Sequence, residues 1–186
     1  MAMVALAPEA RSAKSESAAF IETLGNDLID VLRSPEADQE ARKLRLRELF
    51  GSAFDVAAIG KFVLGRYWRA ANDAQRQEYL GLFREHVIEI YAQRFASYSG
   101  ETFEVVRERD LGPEDVLVEI RINRLDGSPL PVEFRVLSSN GSLRIVDTLV
   151  EGVSLIVTKR DEFGAVVARE GIDGLIERLR RITGSA

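Results

Sequence analysis

The single histidine, His86, together with Asp147 and Ser154, contains the side-chain types of a nucleophilic triad. In such an arrangement the imidazole takes the hydroxyl proton while the carboxylate orients the ring. The local pattern argues against that chemistry. Glu151-Gly152-Val153-Ser154-Leu155 does not match the G-x-S-x-G elbow that exposes a nucleophilic serine. His86 falls in mid-helix among large apolar residues, the setting of a core histidine with its polar atoms satisfied. Metal binding needs clustered histidine, cysteine or carboxylate ligands at fixed spacing. One histidine, no cysteine and scattered acids do not supply them. No G-x-x-x-x-G-K-[ST] stretch is present, and Gly60 and Gly65 open no phosphate-binding turn after a strand. We therefore expect no catalytic residue, no metal and no cofactor.

The residues with a stronger message are aromatic. Phe62, Tyr67, Trp68, Tyr79, Phe83, Tyr91, Phe95 and Tyr98 are eight of the chain's nine phenylalanines, four tyrosines and one tryptophan. Each such side chain buries roughly 150–250 Å². Together they are expected to form one wall of a large apolar interior, either a thick core or a ligand chamber, and periodicity alone does not separate the two.

Helices must position most of that wall. Phe20, Leu24, Leu28, Val31 and Leu32 recur at helical spacing from Ser17 to Leu32, and Ser34-Pro35 closes this helix. A second helix is expected from Glu36 to Phe50, broken by Gly51-Ser52, and a third from an Asp55 cap to Gly65. Asn72 three residues before Gln75 reads as a capping box. The helix it opens runs to Tyr98, with Tyr79, Phe83, His86, Val87, Tyr91 and Phe95 on one face. After Gly100 the apolar period changes to two. Thr102 to Arg109, Val116 to Asn123, Val132 to Val136 and Leu143 to Val150 read as an antiparallel meander, turned at Asp126-Gly127 and Asn140-Gly141. Two more helices follow, Val153 to Ala168 and Ile172 to Arg181, with Gly171 as the C-cap of the first. Four helices, four strands and two helices define an α+β domain.

The chain has 186 residues, enough for one domain with a real core, and no apolar run long enough to cross a bilayer as a helix. Its 25 basic and 30 acidic residues argue against nucleic acid as a partner, since phosphate contacts need a basic footprint. Arg42, Lys43, Arg45, Arg47, Lys61, Arg66 and Arg69 nonetheless form a local basic run, read either as a solvated helix face or as a docking surface. Met1 to Ala7, Pro8 and the Ala/Ser stretch that follows resemble the trailing end of a signal peptide. Residues 1–16 are therefore expected to be a tail and 17–186 the domain.

Two blocks carry a family resemblance. The first is Leu64-Gly65-Arg66-Tyr67-Trp68-Arg69-Ala70-Ala71, continuing through Ala74-Gln75-Arg76-Gln77-Glu78-Tyr79, Phe83-Arg84-Glu85, Tyr91 and Tyr98. The second is Asp147 with Val150-Glu151-Gly152-Val153-Ser154-Leu155-Ile156-Val157-Thr158-Lys159-Arg160, then Phe163 and Gly171-Ile172-Asp173-Gly174-Leu175. In this order they resemble the MlaC or toluene-tolerance family, which includes a branch associated with hopanoid biosynthesis.

The resemblance implies a periplasmic, monomeric, non-enzymatic carrier. It would move phospholipid, or a hopanoid, between an outer-membrane lipoprotein complex and an inner-membrane ABC transporter. It also implies helices packed on a curled antiparallel sheet around a deep apolar cavity. The candidate lining is Phe62, Leu64, Tyr67, Trp68, Phe83, Val87, Tyr91, Phe95, Val118, Ile120, Val132, Phe134, Val136, Val153 and Ile156. The head group would stay at the mouth, beside Arg66, Arg69 or Lys159. Two readings from other classes stay open at this stage: an adaptor module of the same shape with a solid core, and an enzyme using His86.

Overall fold

Ser15 opens the first helix, its hydroxyl accepting a hydrogen bond from the Ala18 amide at 3.3 Å. The computed structural model describes residues 15–34, 39–95, 98–125, 127–139 and 141–184. Residues 1–14 of the expected tail and the expected Pro35, Glu36, Asp126 and Asn140 signals lie outside those residues, whereas Ser15 and Glu16, expected in the tail, belong to the first helix. Helix α1 is Glu16–Arg33, starting one residue before the expected boundary. Helix α2, Gln39–Ala53, runs through Gly51-Ser52 where a break was expected. Ser52 turns its hydroxyl back onto the Leu49 carbonyl at 3.0 Å, within the helix.

Asp55 caps α3, Val56–Leu64, by accepting from the Ala58 amide at 2.9 Å. A single further turn, α4, Tyr67–Ala70, precedes α5, Asp73–Phe95. The capping box of α5 is reciprocal. The Gln75 amide donates to Asn72 Oδ1 at 2.9 Å and the Asn72 amide to Gln75 Oε1 at 3.0 Å. Two of the orphan donors at the helix start are thereby satisfied.

The strands are β1, Thr102–Gly112; β2, Asp115–Asn123; β3, Leu130–Ser139; β4, Ser142–Val150; and β5, Val153–Ser154. They form one open antiparallel sheet in chain order, so four expected strands become five. The additional strand arises because Glu151 and Gly152, at φ 51° and 81°, form a two-residue hairpin turn that pairs Val150 with Val153. Register puts like with like on the concave face: Val116 opposite Val136, Val118 opposite Phe134, Ile120 opposite Val132, Ile122 opposite Leu130. Bulges between Val105 and Arg107 and at Arg135/Val136 bend the sheet.

The two expected C-terminal helices are present as two helical segments that meet at Gly171, numbered together as α6, Leu155–Thr183. Gly171 ends the first segment as expected: its φ 73° and ψ 178° leave the helical conformation and turn the axis, a backbone open to glycine and costly for other residues.

Apolar packing divides into three clusters. Val63, Leu64, Tyr79, Phe83, Phe163 and Leu179 join α3, α5 and α6. Ile21, Val118, Ile120, Val132, Val136 and Ile145 join α1 to the sheet. Val31, Leu46, Phe50 and Ile88 join α1, α2 and α5.

Candidate functional site

Between the last two clusters, which share Phe54, a cavity of about 370 Å³ remains. Each wall follows from an element already described. Helix α1 contributes Ile21, Leu24 and Leu28, the inward stripe of its helical period. Phe50 and Phe54, at and just beyond the end of α2, continue into Tyr91 and Phe95 of α5 as an aromatic row. Successive ring centroids along it are 5.0 Å (Phe54–Phe50), 4.6 Å (Phe50–Tyr91) and 6.0 Å (Tyr91–Phe95) apart. The sheet supplies Phe103, Ile120, Ile122, Val132 and Phe134. Because these residues alternate along their strands, each sends its side chain to the same face.

Polar side chains gather where α5 gives way to β1: Arg94, Tyr98, Glu101, Thr102 and Arg124. Thr102 pairs with Asn123, so these groups share one end of the chamber. Glu101 is held by its own loop, accepting from the Ser99 and Gly100 amides at 2.9 and 3.1 Å. Those bonds, Ser99 first, hold its carboxyl below the ordinary carboxylate range. The Tyr98 hydroxyl donates to the Glu101 carbonyl at 3.1 Å. Deeper in, burial raises the Tyr91 phenol above its usual value and keeps it neutral. The chamber wall is thus largely apolar, with Thr148 beside the Tyr91 phenol within it and the charged groups at one end, an arrangement suited to an amphiphile.

Of the fifteen expected lining residues, Tyr91, Phe95, Ile120, Val132 and Phe134 lie on this chamber. Leu64 and Phe83 are buried in the solid α3–α5–α6 cluster, with Tyr67, Val87 and Ile156 packed against it. Val118 and Val136 are enclosed in the sheet cluster. Trp68, also packed on the first cluster, and Phe62 line a separate groove beside α3, and Val153 is 58% exposed. The physical reason is that the two halves of α5 face different neighbours. Its first half meets α6, through Tyr79 and Phe83 against Phe163, and its second half meets the void.

The cations expected at the mouth are placed elsewhere. Lys159 pairs with Glu162 at 2.6 Å, Arg66 bonds the Tyr67 hydroxyl at 2.8 Å, and Arg69 lines the separate groove. Arg94 and Arg124 are the basic residues on the chamber.

His86, Asp147 and Ser154 do not form a relay. The Ser154 hydroxyl donates to Asp147 Oδ2 at 2.7 Å and accepts from the Val157 amide at 3.2 Å, so serine and carboxylate together cap α6. His86 packs against Phe163, with ring centroids 6.1 Å apart. Its Nδ1 is buried with no hydrogen-bond partner among the described residues, so this core histidine is not fully satisfied.

The profile of the family described as MlaC protein matches residues 22–181. The chain belongs to the MlaC family. Among MlaC relatives, the Intermembrane phospholipid transport system binding protein MlaC of Haemophilus influenzae is 26% identical over 66% of this chain and 59% of its own length. The Toluene tolerance protein ttg2D of Pseudomonas putida is 21% identical over 69% of this chain and 60% of its own. The aligned part spans about three fifths of both relatives. In fold, the chain matches a phospholipid-binding protein of Ralstonia solanacearum, solved in complex with a phospholipid. The TM-score is 0.81, over 92% of this chain and 98% of that one, at 22% identity. The MlaC fold, helices on an open curled antiparallel sheet, is therefore the fold of this chain. The α1 and α2 walls of the chamber were absent from the expected lining, although the α1 stripe Leu24 and Leu28 was a usable signal.

Proposed function

We propose that this chain is a periplasmic lipid carrier that takes one amphiphile into the chamber and moves it between the outer and inner membranes as the soluble part of an ABC-transport system. The observation that carries this reading is the chamber itself: a largely apolar void between two packed clusters, with its charged groups at one end. Membership of the MlaC family, the naming of a relative as a phospholipid-transport binding protein and the phospholipid in the Ralstonia structure support phospholipid as the cargo. Handover would involve an inner-membrane transporter complex and an outer-membrane lipoprotein complex.

The energetics suit exchange. Burying an acyl chain recovers roughly 0.8 kcal/mol per methylene relative to water. A bilayer offers nearly the same, so the chamber has only to match the bilayer, and small differences decide loading and release. No bond-breaking step belongs to this reading.

The test is transfer of labelled phospholipid from donor to acceptor vesicles. The carrier should accelerate transfer in proportion to its concentration, and Phe134→Trp, which narrows the chamber, should reduce the acceleration. No acceleration by the unmodified chain would refute the reading, and acceleration of a labelled hopanoid alone would reassign the cargo.

A further inference from the structure

The basic run between Arg42 and Arg69 divides in the fold. Lys43 and Arg47 reach across from α2 to α5 and pair with Glu89 and Glu85, each at 2.5 Å. Lys61, Arg66 and Arg69 turn the other way and gather with Arg76 and Arg160 about a groove of about 580 Å³ where α3, α4 and α5 converge.

Three of these five cations are seated on the groove's aromatic rings, Trp68 and Phe62, and a fourth, Arg66, on the adjacent Tyr67. Lys61 Nζ and the Arg76 guanidinium lie 5.9 and 5.4 Å from the Trp68 ring centroid. Arg160 lies 5.1 Å from that of Phe62, and Arg66 4.9 Å from that of Tyr67. Among the described residues, only Asp73, on Arg76 at 3.0 Å, is a carboxylate ion-paired with any of the five. A chain of net charge −5 thus concentrates nearly unneutralised positive charge at one recess and holds its donors in place against aromatic faces.

We propose that this groove docks an acidic segment of a partner protein. Guanidinium groups take carboxylates in paired hydrogen bonds, and prepositioned donors lose little freedom on binding. The recess is concave, which admits an extended chain. A bilayer surface would instead need apolar side chains standing proud of it, and in the groove's lining only Phe62, at 41%, is an exposed large apolar residue. The groove is separate from the lipid chamber, so this proposal does not rest on the carrier reading.

Trp68 is the chain's one tryptophan and lines the groove, so its emission reports on occupancy directly. The experiment titrates the full chain with a peptide of alternating glutamate and serine, followed by Trp68 fluorescence and by calorimetry, and repeats it with phosphatidylglycerol vesicles. We expect a saturable Trp68 response to the peptide. Affinity should fall about tenfold or more in the Lys61→Glu/Arg69→Glu double variant and weaken with salt. Arg109→Glu, an exposed charge reversal on β1, should leave it unchanged. Absence of peptide binding in both readouts would overturn the proposal. So would equal binding by the double variant, or a response to vesicles alone.

Discussion

A Cβ placed on Gly25 of α1 would lie 2.2 Å from Cζ of Phe103 on β1, so the helix and strand approach as closely as they do because position 25 carries no side chain. Both residues line the chamber, and their contact sets how α1 roofs it. Gly25→Ala would gain about 1 kcal/mol of helix propensity. It would also force the Phe103 ring aside, at about 1–3 kcal/mol for overpacking. We expect a net loss of stability in denaturant melts together with lower lipid occupancy. Unchanged occupancy would show that the roof does not depend on this contact.

Phe83 and Phe134 distinguish solid core from chamber. Phe83 is 2% exposed and stacks 5.7 Å from Tyr79, so Phe83→Ala should cost about 3–5 kcal/mol. Phe134 already borders a void, and its truncation enlarges that void without emptying a packed site. Phe134→Ala should cost clearly less while altering the lipid profile. Equal costs, measured by urea unfolding, would mean that the Phe134 side is packed solid.

The Asp147–Ser154 contact is a cap, with a consequence for stability only. Ser154→Ala removes the acceptor for the Val157 amide and a donor to a buried carboxylate, costing about 1–2 kcal/mol. Lipid transfer at a temperature well below the melting point should be unaffected. A large loss of transfer in folded protein would give Ser154 a role beyond capping α6.

His86 makes stability depend on pH. Burial, reinforced by Lys159 and opposed by Glu162, lowers its pKa below the ordinary value near 6.5. The unfolded chain therefore takes up a proton that the folded chain refuses. Stability is complete above about pH 6.5 and falls as pH drops below it, by at most about 1.4 kcal/mol per pH unit, until the folded-state pKa is reached. His86→Gln should flatten that part of the profile. Parallel profiles for the two proteins would contradict the assignment.

Local features were the legible ones. The Asn72–Gln75 box and the alternation of Val116, Val118, Ile120 and Ile122 depend on neighbours a few residues away, and both appear as expected. The chamber depends on which elements face each other. Phe83 and Tyr91 share a helix face, yet α6 covers the first and leaves the second open to the void. Nothing in the period of α5 encodes that difference. Nor does local sequence mark Phe50 and Phe54 as lining, since they reach the chamber only through the packing of α2 against α5.

Native mass spectrometry of the protein purified from its native cells tests most directly whether the void between α1, α5 and the sheet holds lipid. A bound species of lipid mass, released by organic solvent, is expected, and it should be depleted in Ile120→Trp, where the larger indole narrows the chamber. Lipid-free wild-type protein that also takes up no labelled phospholipid or hopanoid would contradict it.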